Sequence, residues 1–282
     1  ALLFLTACDE EEPQLTARGV SYEIVDDQEG ELIKVGDVIT FNFQQMVNDS
    51  VIDGSYQMGE PITLPIGESR GYTDINEWVT VLSEGDSAIF HIVSDSVYPP
   101  GQMPNYIDTG EMVHFHIKIE NVQSEQEFQQ EQQQAMQDQM GQDAQLIEDY
   151  LADAGIDAQK ADNGLYYVVE EEGDGPKPQP GQTVVVNYTG RLLNGQIFDT
   201  SIESVAQEEG IHNPQRPYEP FSFVLGQGQV IPGWDQGIGL FNVGSEGKLF
   251  IPSSMAYGER GAGANIPPNS ILVFDIELLG AE

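Results

Sequence analysis

The residues best suited to chemistry in this chain are rings, phenols and a carboxylate, gathered in short segments between Val184 and Phe274. In Val184-Val185-Val186-Asn187-Tyr188-Thr189-Gly190 the two-residue period of an extended strand sends Val184, Val186 and Tyr188 to one face. That alternation delivers a phenol to whatever concavity the sheet makes. Phe198-Asp199 follows a Leu192-Leu193-Asn194-Gly195 turn. Then come Phe221-Ser222-Phe223, Gln229-Val230-Ile231-Pro232-Gly233-Trp234, Met255-Ala256-Tyr257-Gly258, Ile266-Pro267-Pro268 and Leu272-Val273-Phe274. Large aromatics in irregular, Gly-flanked segments exceed what a core alone requires and point to a ring-lined site.

The elements that must position these residues occur twice. Residues 19 to 122 and 164 to 280 each open with Gly and β-rich alternation, and each closes on an alternating strand, Met112 to Ile119 and Ile271 to Leu278. Gly36-Asp37-Val38-Ile39-Thr40-Phe41-Asn42-Phe43 lies on Gly181-Gln182-Thr183-Val184-Val185-Val186-Asn187-Tyr188. From Pro61 to Glu120 one ungapped offset then superposes Pro61 on Pro220, Gly85 on Gly244, Tyr98 on Tyr257, Ile107 on Ile266 and Phe115 on Phe274. The offset changes between Ser201 and Glu219, where the second copy carries an extra stretch read as a surface-loop insertion.

Between the copies, Ser124 to Ala154 is built of good helix formers and Gly155 stands where a C-terminal cap belongs. Met136, Met140, Ala144, Ile147, Leu151 and Ala154 form one apolar stripe at helical spacing, expected to dock on the chain's own domains, with pairing to a second copy as the alternative.

With 282 residues and 39% hydrophobic content, two domains can each bury a core. Only 10 Lys plus Arg stand against 47 Asp plus Glu, and a net charge of -37 repels phosphate backbones, so nucleic-acid binding is excluded. The lone Cys8 allows no intrachain disulfide. Gly226-Gln227-Gly228 lacks the following Lys-bearing helix of a phosphate loop, and Glu170-Glu171-Glu172 lacks the spacing of a calcium loop. His114 and His116 lie two apart on one strand, and the repeat register puts His91 on the same outer face. Three imidazoles could bind Zn²⁺, but no Cys or carboxylate completes a tetrahedron, and exposed strand histidines are the expectation. Neither a metal nor a cofactor is expected.

Val186-Asn187-Tyr188-Thr189-Gly190, Phe198-Asp199, Val230-Ile231-Pro232-Gly233-Trp234, Ala256-Tyr257-Gly258, Ile266-Pro267-Pro268 and Leu272-Val273-Phe274-Asp275 occur in an order that resembles the FKBP-type peptidyl-prolyl isomerases. The resemblance covers essentially all of residues 164 to 280. It implies an α+β fold: two FKBP-like domains, each a twisted antiparallel sheet around one short helix, here Pro232 to Leu240, joined by a long helical linker. It further implies that Tyr188, Asp199 and Tyr257 act on substrate while Phe198, Phe221, Val230, Ile231, Trp234, Ile266 and Phe274 line the pocket, with Trp234 as floor. Where many members carry His after the Tyr257-Gly258 pair, this chain has Ala262.

Those residue types suit the implied reaction. Rotation about an X–Pro bond faces a barrier of about 18–20 kcal/mol from amide resonance. The twisted amide has lost conjugation and charge separation, so a water-poor aromatic cavity favours it over the planar ground state. Lowering the barrier by about 4 kcal/mol gives roughly 10³-fold acceleration. No nucleophile is needed, and immunosuppressant macrolides are the inhibitors the resemblance implies.

The first copy departs at the same positions. Phe43 stands for Tyr188, Ile52 for Phe198, Ile62 for Phe221, Gly71 for Val230, Tyr72 for Ile231 and Ile75 for Trp234, while Asp53, Tyr98, Ile107 and Phe115 persist. A binding or spacer module with little isomerase activity is expected.

At the N-terminus, Leu2-Leu3-Phe4-Leu5-Thr6-Ala7-Cys8 is too short to span a bilayer, and Leu5-Thr6-Ala7-Cys8 resembles the bacterial lipoprotein cleavage box. Cys8 would then be the acylated residue, and the acidic tether after it resembles surface-export signals of Bacteroidetes lipoproteins. The expected organisation is a signal remnant and tether at 1–18, a degenerate FKBP-like domain at 19–123, a Gln-rich linker at 124–160 and the isomerase domain at 161–282. Expected partners are proline-containing, unfolded or nascent exported polypeptides, at a bacterial cell envelope, lipid-anchored on the outer membrane and facing periplasm or surface. The alternative function is a non-catalytic, peptide-binding chaperone.

Overall fold

The structure, a computed structural model, describes residues 13–99 and 101–282. The chain divides into two compact units, one ending at Gln132 and one running from Gln133 to Glu282, so the boundary falls inside the linking helix.

The first unit contains β1 (Gln14–Leu15), β2 (Ser21–Asp26), β3 (Asp37–Val47), β4 (Ser50–Gly54), β5 (Ile62–Pro65), β6 (Ser87–Val93) and β7 (Met112–Ser124), with short helices α1 (Ser55–Met58), α2 (Ile75–Trp78) and α3 (Ser94–Val97). The strands form one antiparallel sheet ordered β1-β2-β6-β7-β3-β4, with β5 beside β3. Helix α4 (Glu125–Ala154) follows. The second unit contains β8 (Gln159–Lys160), β9 (Tyr166–Glu171), β10 (Thr183–Leu192), β11 (Ile197–Thr200), α5 (Glu203–Glu208), β12 (Phe221–Val224), α6 (Pro232–Gly237), β13 (Glu246–Ile251) and β14 (Leu272–Ala281). Its antiparallel order, β8-β9-β13-β14-β10-β11 with β12 beside β10, repeats the first sheet strand for strand.

The correspondence extends to register. Phe43 faces Ile117 and Tyr188 faces Ile276, the partners that the sequence superposition pairs. Each long strand breaks register twice at matching places, Thr40/Phe41 and Gln45/Met46 in β3, Val185/Val186 and Gly190/Arg191 in β10. A bulge bends its strand and re-aims the side chains beside it, so both copies present position 43 or 188 from the same bend. The β3–β4 hairpin closes through Asn48 at φ 47 and Asp49 at φ 63, the left-handed pair whose twist matches right-twisted strands.

In the second unit, Val184, Val186 and Tyr188 are buried with Leu249, Ile251, Phe274 and Ile276 under α6. Pro232 opens α6 where a backbone N–H would lack an intrahelical partner anyway. Gly233 lets the helix lie close to the sheet, because a Cβ there would sit 2.3 Å from Ile251 Cγ2. The next side chain, Trp234, is consequently driven into the core.

Helix α4 is capped at both ends. The Ser124 hydroxyl accepts from Glu127 N at 3.2 Å while the Glu127 carboxylate accepts from Ser124 N at 2.9 Å, a reciprocal capping box. At the far end, Ile156 N donates to Leu151 O at 2.9 Å and Gly155 takes φ +66, the left-handed exit that glycine permits. Within the second unit, Ile147 and Leu151 pack on Tyr166, Phe250, Ile271 and Val273. The apolar stripe expected from sequence is therefore only half docked: Met136 and Met140 are exposed, and the buried face continues upward through Asp143 instead. No described helix is long and apolar enough to cross a membrane.

Candidate functional site: an aromatic cage with a polar wall

Trp234 stands at the centre of the rings predicted from sequence. Its indole lies 5.1 Å from Tyr188, 5.1 Å from Phe274 and 6.0 Å from Phe221 between centroids, each contact edge-to-face at 72° to 82°. Such geometry sets positive ring edges against negative faces. Phe198 joins through Phe274 at 5.7 Å, and Val230, Ile231 and Ile266 pack on the same cluster. Phe223, not singled out by sequence, completes it at 5.8 Å from the indole. The Trp234 N–H is buried and has no partner among the described residues, an arrangement that costs about 1–3 kcal/mol. Phe221 and Tyr257 are exposed.

The close approach of Phe198 and Phe274 depends on Gly190. A Cβ there would meet Phe274 Cε1 at 2.6 Å and Phe198 Cζ at 2.7 Å. The strand therefore lacks a side chain just where two rings lie against it.

The polar wall is a three-residue unit. Tyr188 Oη donates to Asp199 Oδ2 at 2.6 Å, and Arg216 reaches both, through Nη2 to Tyr188 Oη at 3.0 Å and through Nη1 to Asp199 Oδ1. Thr200 N adds a bond to Asp199 Oδ1 at 2.9 Å. Burial first, and then the Asp199 bond, push the Tyr188 phenol from 10.0 to about 12, so it remains a donor at ordinary pH. Hydrogen bonding to Asp199 likewise raises Arg216 above the usual guanidinium range and keeps it cationic.

Sequence reasoning missed Arg216. It sits in the stretch read as a plain insertion, where Tyr218 underlies its guanidinium at 5.6 Å and stacks on His212 at 5.3 Å. A single Arg in an acidic stretch of a chain with only 10 Lys plus Arg was the available signal. The ion pair is 41% and 35% exposed, so its role is orientation rather than stability.

Tyr257 follows a 3₁₀ turn, Ser253–Met255, and no hydrogen bond to its hydroxyl occurs among the described residues. The loop beyond it closes through Ala262 N to Ile266 O at 2.8 Å, which places Ala262 at the rim and Ile266 inside. The ring cluster, bordered by the anchored Tyr188–Asp199 unit, sets apolar ring faces beside a polar, hydrogen-bonding group.

The first unit is organised differently at the same place. Its α2 register does put Ile75 where Trp234 stands, yet an indole is present one turn later: Trp78 lies 5.0 Å from Phe115 and is buried. What distinguishes this unit is Gln45, at the position of Gly190 beside the matching bulge. Its amide donates to Tyr98 Oη at 2.6 Å, engaging the hydroxyl that corresponds to that of Tyr257. Ile52, Tyr98, Met103, Ile107 and Phe115 then pack together with Val47 and Val113.

His91 and His114 face each other across β6 and β7, with their Nδ1 atoms 2.7 Å apart. Among the described residues no three His, Cys, Asp or Glu side chains are arranged to hold a metal ion. Cys8, the expected lipidation site, lies outside the described residues.

A tandem of antiparallel sheets, one carrying an aromatic cage, is the class of protein defined here. The model of the FKBP-type peptidyl-prolyl cis-trans isomerase matches residues 29–120 and 175–279, and the chain belongs to that family. Among relatives, the FKBP-type peptidyl-prolyl cis-trans isomerase FkpA of Aeromonas hydrophila is 45% identical over 48% of this chain and 45% of its own length. FK506-binding protein 1 of Dictyostelium discoideum is 41% identical over 41% of this chain and 96% of its own. A solved peptidyl-prolyl cis-trans isomerase of Pseudomonas syringae pv. tomato shares 31% identity over 52% of this chain and 95% of that one, with a TM-score of 0.40. The chain thus spans less than half the length of the Aeromonas relative.

Proposed function

We propose that the second unit catalyses cis–trans isomerisation of X–Pro bonds in unfolded polypeptides, without covalent chemistry. The observation that carries this reading is the convergence of Tyr188, Phe221 and Phe274 on the buried Trp234. A proline ring laid against the indole leaves its amide in a water-poor site, where the twisted, uncharged form is favoured over the planar one. Tyr257 offers its hydroxyl to a neighbouring substrate carbonyl, and the Tyr188–Asp199 unit faces the turning one. Tyr188, Asp199 and Tyr257 are thus the residues acting on substrate, and Phe198, Val230, Ile231 and Ile266 complete the apolar lining. The relatives named isomerases and FK506-binding proteins support both this activity and macrolide inhibition. The first unit, with Tyr98 held by Gln45, is a non-catalytic binding or spacer module. In the cell the substrates are exported polypeptides, and the chain is held at a bacterial envelope through acylated Cys8.

The test is exchange of a short proline peptide, followed with the full chain. Acceleration that is abolished by a macrolide and lost in Trp234→Ala is expected. Absence of any acceleration, with aggregation of unfolded clients still suppressed, would favour the binding-only alternative. Mass spectrometry of the native N-terminus tests the acyl anchor.

A further inference from the structure

Asp143 is fully buried on the face of α4 that docks within the second unit. A charged side chain withdrawn from water is costly unless its oxygens are satisfied. Here Oδ2 accepts from both the backbone N–H of Ser253 at 2.7 Å and its hydroxyl at 2.6 Å, and Oδ1 accepts from Gln139 Nε2 at 2.8 Å. One turn below, Ile147 fixes the helix against the sheet face that carries Phe250 and Val273. That face is opposite the one bearing Phe274, because adjacent strand residues point to opposite sides.

Ser253 begins the 3₁₀ turn Ser253–Met255, which ends two residues before Tyr257, and its carbonyl accepts from Ala256 N at 3.0 Å. The N–H and hydroxyl of Ser253 are both committed to Asp143, and Ser253 is itself 1% exposed. The carboxylate is therefore the fixed point from which the loop departs.

We propose that Asp143 is a positioning residue for the isomerase site, acting from the linking helix through Ser253 on the placement of Tyr257. The proposal rests on the role assigned to Tyr257 above. It makes the docked part of the helix a component of the site rather than a tether.

The full chain is assayed for proline-peptide exchange as Asp143→Ala, Asp143→Asn, Ser253→Ala, Tyr257→Phe and the Asp143→Ala/Tyr257→Phe double variant. Asp143→Ala is expected to lower kcat/KM roughly tenfold, in the range that loss of orientation alone can produce. The double variant is expected to be no slower than the slower single one, since both changes remove the same contact. Asp143→Asn should keep most activity, because its amide oxygen can accept both Ser253 bonds while the Gln139 amide turns to accept from the new N–H. If Asp143→Ala does not fold, Ser253→Ala carries the same test, with a smaller loss that Tyr257→Phe again masks. Wild-type turnover in the folded variants, multiplying losses, or equal loss in Asp143→Ala and Asp143→Asn overturns the proposal. Amide hydrogen exchange across residues 253–258 reads the positioning without turnover: it should quicken in Asp143→Ala or Ser253→Ala and not in Asp143→Asn, and unchanged exchange also overturns it. Failure of the isomerase reading shows differently, as an unaltered chain that does not accelerate exchange.

Discussion

Replacing Tyr188 by Phe removes one oxygen from the polar wall and leaves the ring where it packs, 5.1 Å from Trp234. Two bonds disappear, the one donated to Asp199 at 2.6 Å and the one accepted from Arg216 at 3.0 Å. Burial first, and then the bond to Asp199, keep the proton on the phenol, so both bonds are intact at ordinary pH. The loss of those two bonds is the most the substitution can cost. The net loss is smaller, because Asp199 keeps Arg216 and the Thr200 N–H at 2.9 Å. A hydrogen bond to a charged group contributes about 1.5–3 kcal/mol, and the lower end applies where other donors remain. Tyr188→Phe should therefore lower kcat/KM about tenfold, about 1.4 kcal/mol, and lower stability by a similar amount. Proline-peptide exchange and denaturant unfolding measure the two. The rate should stay level from pH 6 to 9 in the wild-type chain as far as this phenol is concerned, since it holds its proton throughout. Stability lost without any loss of rate would refute the assignment of Tyr188 to the wall facing the turning amide, and unchanged stability would refute the account of its bonds.

Gly190→Ala should destabilise the second unit by about 1–3 kcal/mol, the usual cost of overpacking, because the new methyl overlaps Phe198 and Phe274. Trp234 fluorescence in a Trp78→Phe background reports that unfolding, and a midpoint within error of wild type would contradict the ring placement. For the first unit, burial and then the charge of His114 lower His91, and burial lowers His116 in the same way. A histidine depressed in the folded state takes up its proton more readily when unfolded, so its stabilising effect is present above about pH 6.5 and is lost as pH falls below it. Trp78 fluorescence in a Trp234→Phe background should show the first unit losing stability from pH 7.5 to 5.5, with a shallower slope in His114→Gln. An identical slope in that variant would remove the histidine pair from the explanation.

Much of this architecture could be read from residue patterns because the patterns are local or repeated. Alternation through Val184, Val186 and Tyr188 fixed which face is buried, and the ungapped superposition placed Phe115 and Phe274 opposite equivalent neighbours in both sheets. The cage followed, since each ring belongs to a segment whose strand phase or helix start was legible. What escaped depends on contacts distant in sequence. Arg216 reaches Asp199 only because the insertion folds back over the wall, and no periodicity announces that. Gln45 passed as an ordinary strand residue, since its effect lies in Tyr98, 53 positions away. Trp78 escaped notice because the rigid superposition pairs Trp234 with Ile75 and says nothing of the next turn of the helix. The stripe on α4 was drawn through methionines, yet tertiary partners selected a face headed by an aspartate.

The way α4 ends bears on how the second unit can be handled by itself. Its last turns roof a patch made by Tyr166, Phe250, Ile271 and Val273, and the helix is stitched on through Asp143. A fragment trimmed just ahead of β8 (Gln159–Lys160), where the strands begin, would surrender that roof and leave oily side chains facing solvent. Such a fragment invites self-association that has nothing to do with its natural behaviour. Excision ahead of Gln139, within what looks like mere spacer, preserves the lid and yields the smallest self-sufficient piece.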